Sequence, residues 1–344
     1  MKAWVLHGVN DLRFEDVKTP KLKSGEVLVK VQAAGICGSD IPRIYETGMY
    51  SHPLIPGHEF AGEVVQTFDE EYSQFVGKRV GVFPLIPCRT CEACTYGYYE
   101  MCKNYNYLGS RCNGGFAEYV AVPVKNIIEL PDNVDIKVAA MLEPMSVAIH
   151  AIRRAKLNGS EKVAVIGLGT IGLLAIMFLK EIGISNIVAI GNKEFQKEKA
   201  KILGVDADSF CNSKIEDANS WLEAKCAEVV FECVGSNDTI NMAINGVKRG
   251  GRVVFVGNPH SDISFEKKLY WKILRNQITL IGTWNSSFTG EGNDDWHYVL
   301  NLLKNNKINS EKLITHEFDF SKLSDGLAIM KNKSEEYGKI IIRI

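Results

Sequence analysis

The sequence has almost no excess charge of either sign. Its 40 Lys and Arg stand against 41 Asp and Glu, a net charge of −1 over 344 residues. That balance offers no broad electrostatic footprint for nucleic acid or for an anionic membrane surface. A local basic pocket remains compatible with it. Long hydrophobic runs are missing too. The longest uncharged run, 163–179, lies between Lys162 and Lys180 and contains Gly167, Gly169 and Gly172. It is shorter than the ~20 residues of a membrane span, and a strand–turn–helix explains it better. The opening MKAWVLHGVNDLRFED has no sustained apolar stretch and no small-residue cleavage site. A secretory signal is therefore not expected. Internal repeats and low-complexity segments are absent. With 46% hydrophobic and 24% charged residues the composition is that of a folded globular chain. The length allows about two domains.

What is present is uneven. Of nine cysteines, Cys88, Cys91, Cys94 and Cys102 crowd into one short stretch. Without a signal peptide such crowding favours metal over disulfides, and the expected compartment is a reducing cytoplasm. The first stretch reads as β-rich. VLVKV at 27–31 alternates, and 62–65 and 79–83 are short apolar runs ended by Gly or Pro. Apolar residues at helical spacing take over across 138–155. From Lys162 strands and helices alternate: KVAVIG, TIGLLAIMFLKEIG, NIVAIG, KEFQKEKAKILG, then strands EVVFECVG, RVVFVG and ITLIG. This rhythm predicts an α/β fold with a parallel, doubly wound sheet. The last stretch, from about Trp284, holds a helix near 294–304 and a final strand at 339–343. It is too short for a domain of its own and is expected to return to the first one.

Gly167-Leu168-Gly169-Thr170-Ile171-Gly172 is a G-x-G-x-x-G between a strand and an apolar helix. The first Gly permits the tight turn, the second close approach to a pyrophosphate, the third close helix–strand packing. The pyrophosphate then meets free N–H groups at the helix N-terminus. Val256 and Gly257, at the carboxyl end of RVVFVG, join this cofactor-binding set. The second strand lacks the acidic residue that would hold a ribose 2′-hydroxyl. Gly191 stands there, followed by Asn192 and Lys193. Removing the carboxylate, with an amide and a cation beside it, tilts the expectation towards NADP(H) over NAD(H). Asn192 also suits the cap of the next helix, and Lys193 a solvated charge.

Cys88-x2-Cys91-x2-Cys94-x7-Cys102 supplies four thiolates, enough for a closed tetrahedral and therefore structural zinc shell. A nucleic-acid-binding finger fits poorly, because the segment has few basic residues. A dispersed set comprises Cys37 in GICGSD, His58 and Glu59 in PGHE, and Glu143 in LEP. Zinc accepts all these donor types. Singly, each also suits a buried thiol, a core histidine, a surface charge or a helix start.

Together GICGSD at 35–40, PGHEFAG at 56–62, the Cys88–Cys102 loop, GGFAEY at 114–119, LEP at 142–144 and GLGTIG at 167–172 resemble the zinc-dependent medium-chain dehydrogenase/reductase family over essentially the whole chain. CGSDIPRI, GSRCNGGFAEY, KILRNQITLIGTW and DDW at 294–296 resemble its polyol and polyol-phosphate dehydrogenases, with galactitol 1-phosphate as the type of substrate. The resemblance implies a GroES-like β-barrel catalytic domain over 1–147, a Rossmann cofactor domain over 148–284 and a C-terminal return over 285–344. It implies two zinc ions per chain. One is catalytic, on Cys37, His58 and Glu59, with Glu143 as fourth ligand or as a partner through water. The other is structural, on the four clustered cysteines. A homodimer or homotetramer is implied as well.

The expected chemistry is hydride transfer between a secondary alcohol and C4 of the nicotinamide, with zinc lowering the alcohol's pKa. The relatives' proton-relay His falls on Pro42, which moves the relay to Ser39, the ribose hydroxyl, Glu59 or water. Ser39 equally suits a loop-capping hydroxyl. Arg43, six residues beyond Cys37, is the expected phosphate anchor, since a guanidinium binds phosphate bidentately. Pairing with Glu46 is its plainer reading. Arg111, Lys272 and Arg275 are further candidates of unknown distance. The alternatives are a dehydrogenase of unphosphorylated polyols or secondary alcohols, and a non-catalytic nucleotide binder on the same fold.

Overall fold

The computed structural model describes residues 1–259 and 261–344. The described chain divides into two compact units, Met1–Glu143 with Ser286–Ile344, and Pro144–Asn285.

The Pro144–Asn285 unit is built on six parallel strands. Their spatial order is Phe210–Asn212, Ile187–Gly191, Val163–Ile166, Val229–Glu232, Arg252–Phe255 and Thr279–Gly282. Numbered along the chain this is 3-2-1-4-5-6, the doubly wound order, with its switch point between Val163–Ile166 and Val229–Glu232. The strands read as apolar bursts rather than alternations because helices cover the sheet. Ala164, Ile166, Val188, Val230 and Val253 pack into one core with Ala243 and Ile244 of helix Asn237–Gly246. Strand Phe210–Asn212 was not expected from the sequence. It is three residues long at a sheet edge, too short to carry a period.

The other unit is a seven-stranded sheet centred on Glu26–Ile36. That strand pairs antiparallel with Glu59–Thr67, Tyr119–Pro123 and Lys339–Arg343. Register shifts at Leu28/Val29 and Val31/Ala33 mark bulges against its neighbour. The final strand sets Ile340 opposite Ile36 and Arg343 opposite Ala33, so the C-terminus completes the sheet begun at the N-terminus. Val29, Val31, Phe60, Val64, Val80, Ile340 and Ile342 form the core beneath it. The C-terminal stretch holds more than the expected helix and strand. Strand Ile314–Asp319 runs parallel to Lys339–Arg343, and helix Leu323–Asn332 lies between them in sequence. Half-exposed residues along Ile314–Asp319 hid its pattern. Among the described residues no helix is long and apolar enough to cross a membrane.

Candidate active site

Strand Glu26–Ile36 ends one residue before Cys37, and strand Glu59–Thr67 starts at Glu59, paired with Gly35. Antiparallel pairing therefore brings Cys37, His58 and Glu59 together from two distant motifs. Their donor atoms all lie within 4.8 Å of one another. His58 and Glu59 are buried, and Cys37 is half-buried. A thiol, an imidazole and a carboxylate at that spacing fit a zinc ion with one position left open.

Two buried partners hold these donors. Asp40 Oδ1 lies 3.4 Å from His58 Nδ1, and Asp40 Oδ2 accepts from the Cys37 backbone N–H at 3.0 Å. With Nδ1 turned to a carboxylate, Nε2 is the nitrogen left for a metal. Burial opposes charge on both groups, but each offsets it for the other. His58 is raised well above its usual value by Asp40 and Cys37, and Asp40 is lowered by His58 and the Cys37 amide. On the other side Lys339 Nζ pairs with Glu59 and donates to the Ile36 carbonyl at 2.8 Å. Lys339 and Glu59 are each only 1% exposed. Gly35 makes the pair possible, since a Cβ there would overlap the Glu59 carboxylate and come within 2.7 Å of Lys339 Cε.

Lys339→Met strands the Glu59 carboxylate in the interior. Breaking a buried pair costs about 3–5 kcal/mol, so the metal-free variant melts well below the metal-free parent. A divalent ion restores the missing charge. Zinc addition is therefore expected to raise Tm more in Lys339→Met than in the parent, and equal increments in differential scanning fluorimetry would count against the pairing.

Glu143 opens helix Leu142–Ala155 and stands outside the three-donor cluster. Its Oε1 accepts from the Tyr107 hydroxyl at 3.2 Å. Burial pushes its carboxyl up to about 7; Glu59 adds to the rise, while His58, Lys339 and Tyr107 act against it. The Tyr107 ring sits 5.9 Å from the His58 ring. Ser39 Oγ donates to Cys37 Sγ at 3.3 Å and accepts from Arg43 Nη1 at 3.2 Å. Arg43 thus turns to the thiol loop rather than to Glu46. Lys272 binds Glu223 and the Asn245 carbonyl, and Arg275 stacks on Trp271 at 4.4 Å, both within the Pro144–Asn285 unit.

The four clustered cysteines are free thiols that converge, all their sulfurs lying within 4.8 Å of one another. Cys91 Sγ lies 3.6 Å from Cys94 Sγ and 3.9 Å from Cys102 Sγ. Sulfurs ~2.3 Å from a tetrahedral zinc stand ~3.8 Å apart, so the donor set fits the ion. Hydrogen bonds from the Thr90 side chain and backbone lower the Cys88 thiol to about 5, whereas burial pushes Cys94 up to about 12.

In the other unit the glycine turn behaves as its chemistry requires. Gly167 has φ of 87°, a conformation glycine adopts freely. A Cβ on Gly172 would overlap the Gly167 carbonyl, whereas one on Gly169 meets nothing within 4 Å. That open side at the start of helix Thr170–Glu181 fits a pyrophosphate. Thr170 and Ile171 open the helix, but Leu168 is buried, so only its backbone can face a cofactor. Val256 and Gly257 donate to the Glu232 carbonyl at 2.8 and 2.9 Å. Gly191 is buried at the end of its strand. Lys193, not Asn192, occupies the cap of helix Glu194–Ile202, without a side-chain cap bond.

Three residues beside the donors carried no assigned role in the sequence: Asp40, Tyr107 and Lys339. Asp40 lies inside GICGSD and was open to discovery there. Tyr107 and Lys339 reach the site only through the fold.

Residues 23–132 match the alcohol dehydrogenase GroES-like domain, and residues 170–305 match the zinc-binding dehydrogenase domain. Galactitol 1-phosphate 5-dehydrogenase of Escherichia coli K12 is 33% identical over 327 residues, 93% of this chain and 94% of that protein. The crystal structure of galactitol-1-phosphate dehydrogenase from Escherichia coli superposes with a TM-score of 0.91 at 32% identity, covering 100% of both chains. A zinc-binding dehydrogenase from Sinorhizobium meliloti 1021 bound to NADP gives 0.90 at 25% identity, covering 100% of this chain and 99% of that one. An alcohol dehydrogenase from E. coli CFT073 complexed with NADH gives 0.90 at 27%, with the same coverage.

Proposed function

The chain belongs to the zinc-dependent medium-chain dehydrogenase/reductase family, and on that footing we propose that it interconverts a secondary alcohol of a sugar-alcohol phosphate, of the galactitol 1-phosphate kind, with the corresponding ketose phosphate. It is a zinc- and nicotinamide-dependent polyol or alcohol dehydrogenase. The carrying observation is the incomplete donor set. Cys37, His58 and Glu59 converge, and Glu143 stands back from them, leaving a position for a substrate oxygen. Zinc, when bound, supplies the Lewis acid, and the nicotinamide takes or gives the hydride. The chain's own part is positional. Asp40 fixes the His58 ring, Lys339 shares the charge of Glu59, and Tyr107 orients the Glu143 carboxyl. Ser39 Oγ, beside Cys37, is the proposed first carrier of the substrate's hydroxyl proton.

The cysteine loop is proposed to hold a second, structural zinc. A reducing cytoplasm suits thiols kept free for metal. The proposed homodimer or homotetramer is supported by the strand Thr279–Gly282, which is paired on one side among the described residues and stands at the sheet edge, and by the exposed Trp271, Leu274, Leu280 and Trp284 near it in sequence. Sedimentation equilibrium decides this, and a monomer would refute it.

Arg43 is proposed to anchor the substrate's phosphate. Arg43→Ala then lowers the ratio of kcat/KM for galactitol 1-phosphate to that for galactitol by roughly tenfold or more, the worth of one charge-assisted bond. An unaltered ratio, or a parent that turns over no phosphorylated polyol, favours an unphosphorylated polyol as substrate.

The cofactor is proposed to be NADP(H) before NAD(H), because Gly191 stands at the second strand's end where a carboxylate would hold a ribose 2′-hydroxyl. Gly191→Asp should shift preference towards NADH roughly ten- to a hundredfold through lost charge-assisted bonds. Space is tight there. A Cβ would come 2.7 Å from Gln196 Oε1, which accepts from the Asn192 N–H, and 3.1 Å from the Phe210 ring. Gly191→Asp with Gln196→Ala is therefore expected to shift further than Gly191→Asp alone. A parent that already prefers NADH in kcat/KM would reverse the reading.

A further inference from the structure

We propose that Arg111 binds the anionic end of the substrate, a phosphate monoester or a carboxylate, at a fixed remove from the Cys37, His58 and Glu59 donors; this rests on the polyol dehydrogenase reading. The Arg111 guanidinium carbon lies 4.1 Å from the Tyr50 ring centre and 4.4 Å from the Tyr105 ring centre. Two rings at such distances hold the guanidinium by cation–π contact and leave its N–H groups for a further partner. Planar forked donors match the oxygens of phosphate and carboxylate.

Those N–H groups have no acceptor among the described residues. Among the described residues Arg111 makes no ion pair, and its buried Nε has no hydrogen-bond partner. A buried unpaired donor is costly, so the arrangement suits an acceptor brought by a ligand. Two tyrosine rings, rather than a carboxylate, hold this guanidinium.

The backbone ties Arg111 to the metal donors. Its N–H donates to the Tyr107 carbonyl at 2.9 Å, and Tyr107 reaches Glu143 and the His58 ring. Gly109, at φ of 82°, turns the chain. The same loop lies flat on the segment preceding His58. A Cβ on Gly109 or Gly114 would overlap the Gly57 carbonyl, and the Gly115 N–H donates to that carbonyl at 2.7 Å. Arg111 is therefore mounted on the same rigid piece of backbone as a metal donor. A cation mounted beside the donor segment suits selection of a chain that is anionic at one end. Arg43, the other cation proposed for the phosphate, already has Ser39 as a partner. A phosphate offers three oxygens, enough for both.

The test uses the zinc-loaded enzyme with galactitol 1-phosphate, galactonate and galactitol as substrates. Arg111→Ala is expected to lower kcat/KM for an anionic substrate, relative to galactitol, at least tenfold, with the loss in KM. A loss confined to galactitol 1-phosphate assigns a phosphate site, and one confined to galactonate a carboxylate site. Arg111→Lys, which keeps the charge without the plane, should fall between parent and Arg111→Ala. Tyr50→Ala frees the guanidinium without removing it, and should raise KM for the anion severalfold. It also covers the case in which Arg111→Ala fails to fold. Equal effects on charged and neutral substrates overturn the proposal. Inorganic phosphate, titrated calorimetrically into the parent and the Arg111→Ala variant, separates this inference from the substrate reading. Binding lost in the variant supports Arg111 even if no polyol is turned over, and no binding to the parent together with no anion-selective loss of kcat/KM in Arg111→Ala overturns it.

Discussion

His58→Ala abolishes turnover of every alcohol and leaves the protein folded. Among the described residues His58 contributes one of three converging donors, so its loss leaves a thiol and a carboxylate that cannot hold zinc in an ordered shell. The polarisation a bound metal supplies is worth several kcal/mol of barrier, roughly a thousandfold or more in rate. Folding has less at stake. Removing the ring leaves the buried Asp40 carboxylate without the imidazole that offsets its burial, which lowers Tm, but the Cys37 amide still donates to Asp40, and the core under the sheet is built from Val29, Phe60, Val64 and Ile340 rather than from the donors. Cys37→Ser should behave alike. Zinc content by mass spectrometry, thermal melts and initial rates check this together. Full turnover by a variant shown to lack the metal would remove the catalytic role assigned to these donors.

Cys91→Ser has the opposite signature. Cys91 Sγ is within 3.6 and 3.9 Å of two other sulfurs, so it forms shared edges of the four-sulfur cluster. The loop around it has little apolar core of its own. Helix Glu92–Thr95 is four residues long and buries only Cys94. Structural zinc supplies folding energy outright, and its loss is expected to lower Tm on the order of 10 °C while losing one zinc per chain. Activity per folded molecule at low temperature falls far less than in His58→Ala. A melt equal to the parent's after proven loss of that zinc would mean that the loop is held by something else.

The donors were legible in the sequence because each lies in a short motif. Their coming together was implied by the family resemblance alone, because it depends on strand pairing that sets Gly35 against Glu59. Lys339 shows the limit most clearly. In the sequence it is one lysine beginning an apolar strand. In the fold it crosses under Gly35 to a carboxylate from a different region of the chain. No local period encodes such a meeting. Asp40 stands between these cases, since its motif was read but its carboxylate needs the loop's curl to reach His58. The doubly wound sheet was readable because its bursts VAVI, IVAIG and RVVF are local and buried on both faces. Phe210–Asn212 and Ile314–Asp319 were not, being respectively too short and too exposed to show a pattern. In sequence Arg43 stood ahead of Arg111 through its place near Cys37. The packing of Tyr50 and Tyr105 on Arg111 is visible only in the fold.

The most direct measurement is the initial rate of nicotinamide reduction by the zinc-loaded enzyme, with galactitol 1-phosphate and galactitol, each with NADP and NAD. The account predicts turnover that is lost on chelation and restored by zinc, with the highest kcat/KM for galactitol 1-phosphate with NADP. Turnover that survives complete removal of zinc, or none with any polyol, would contradict it.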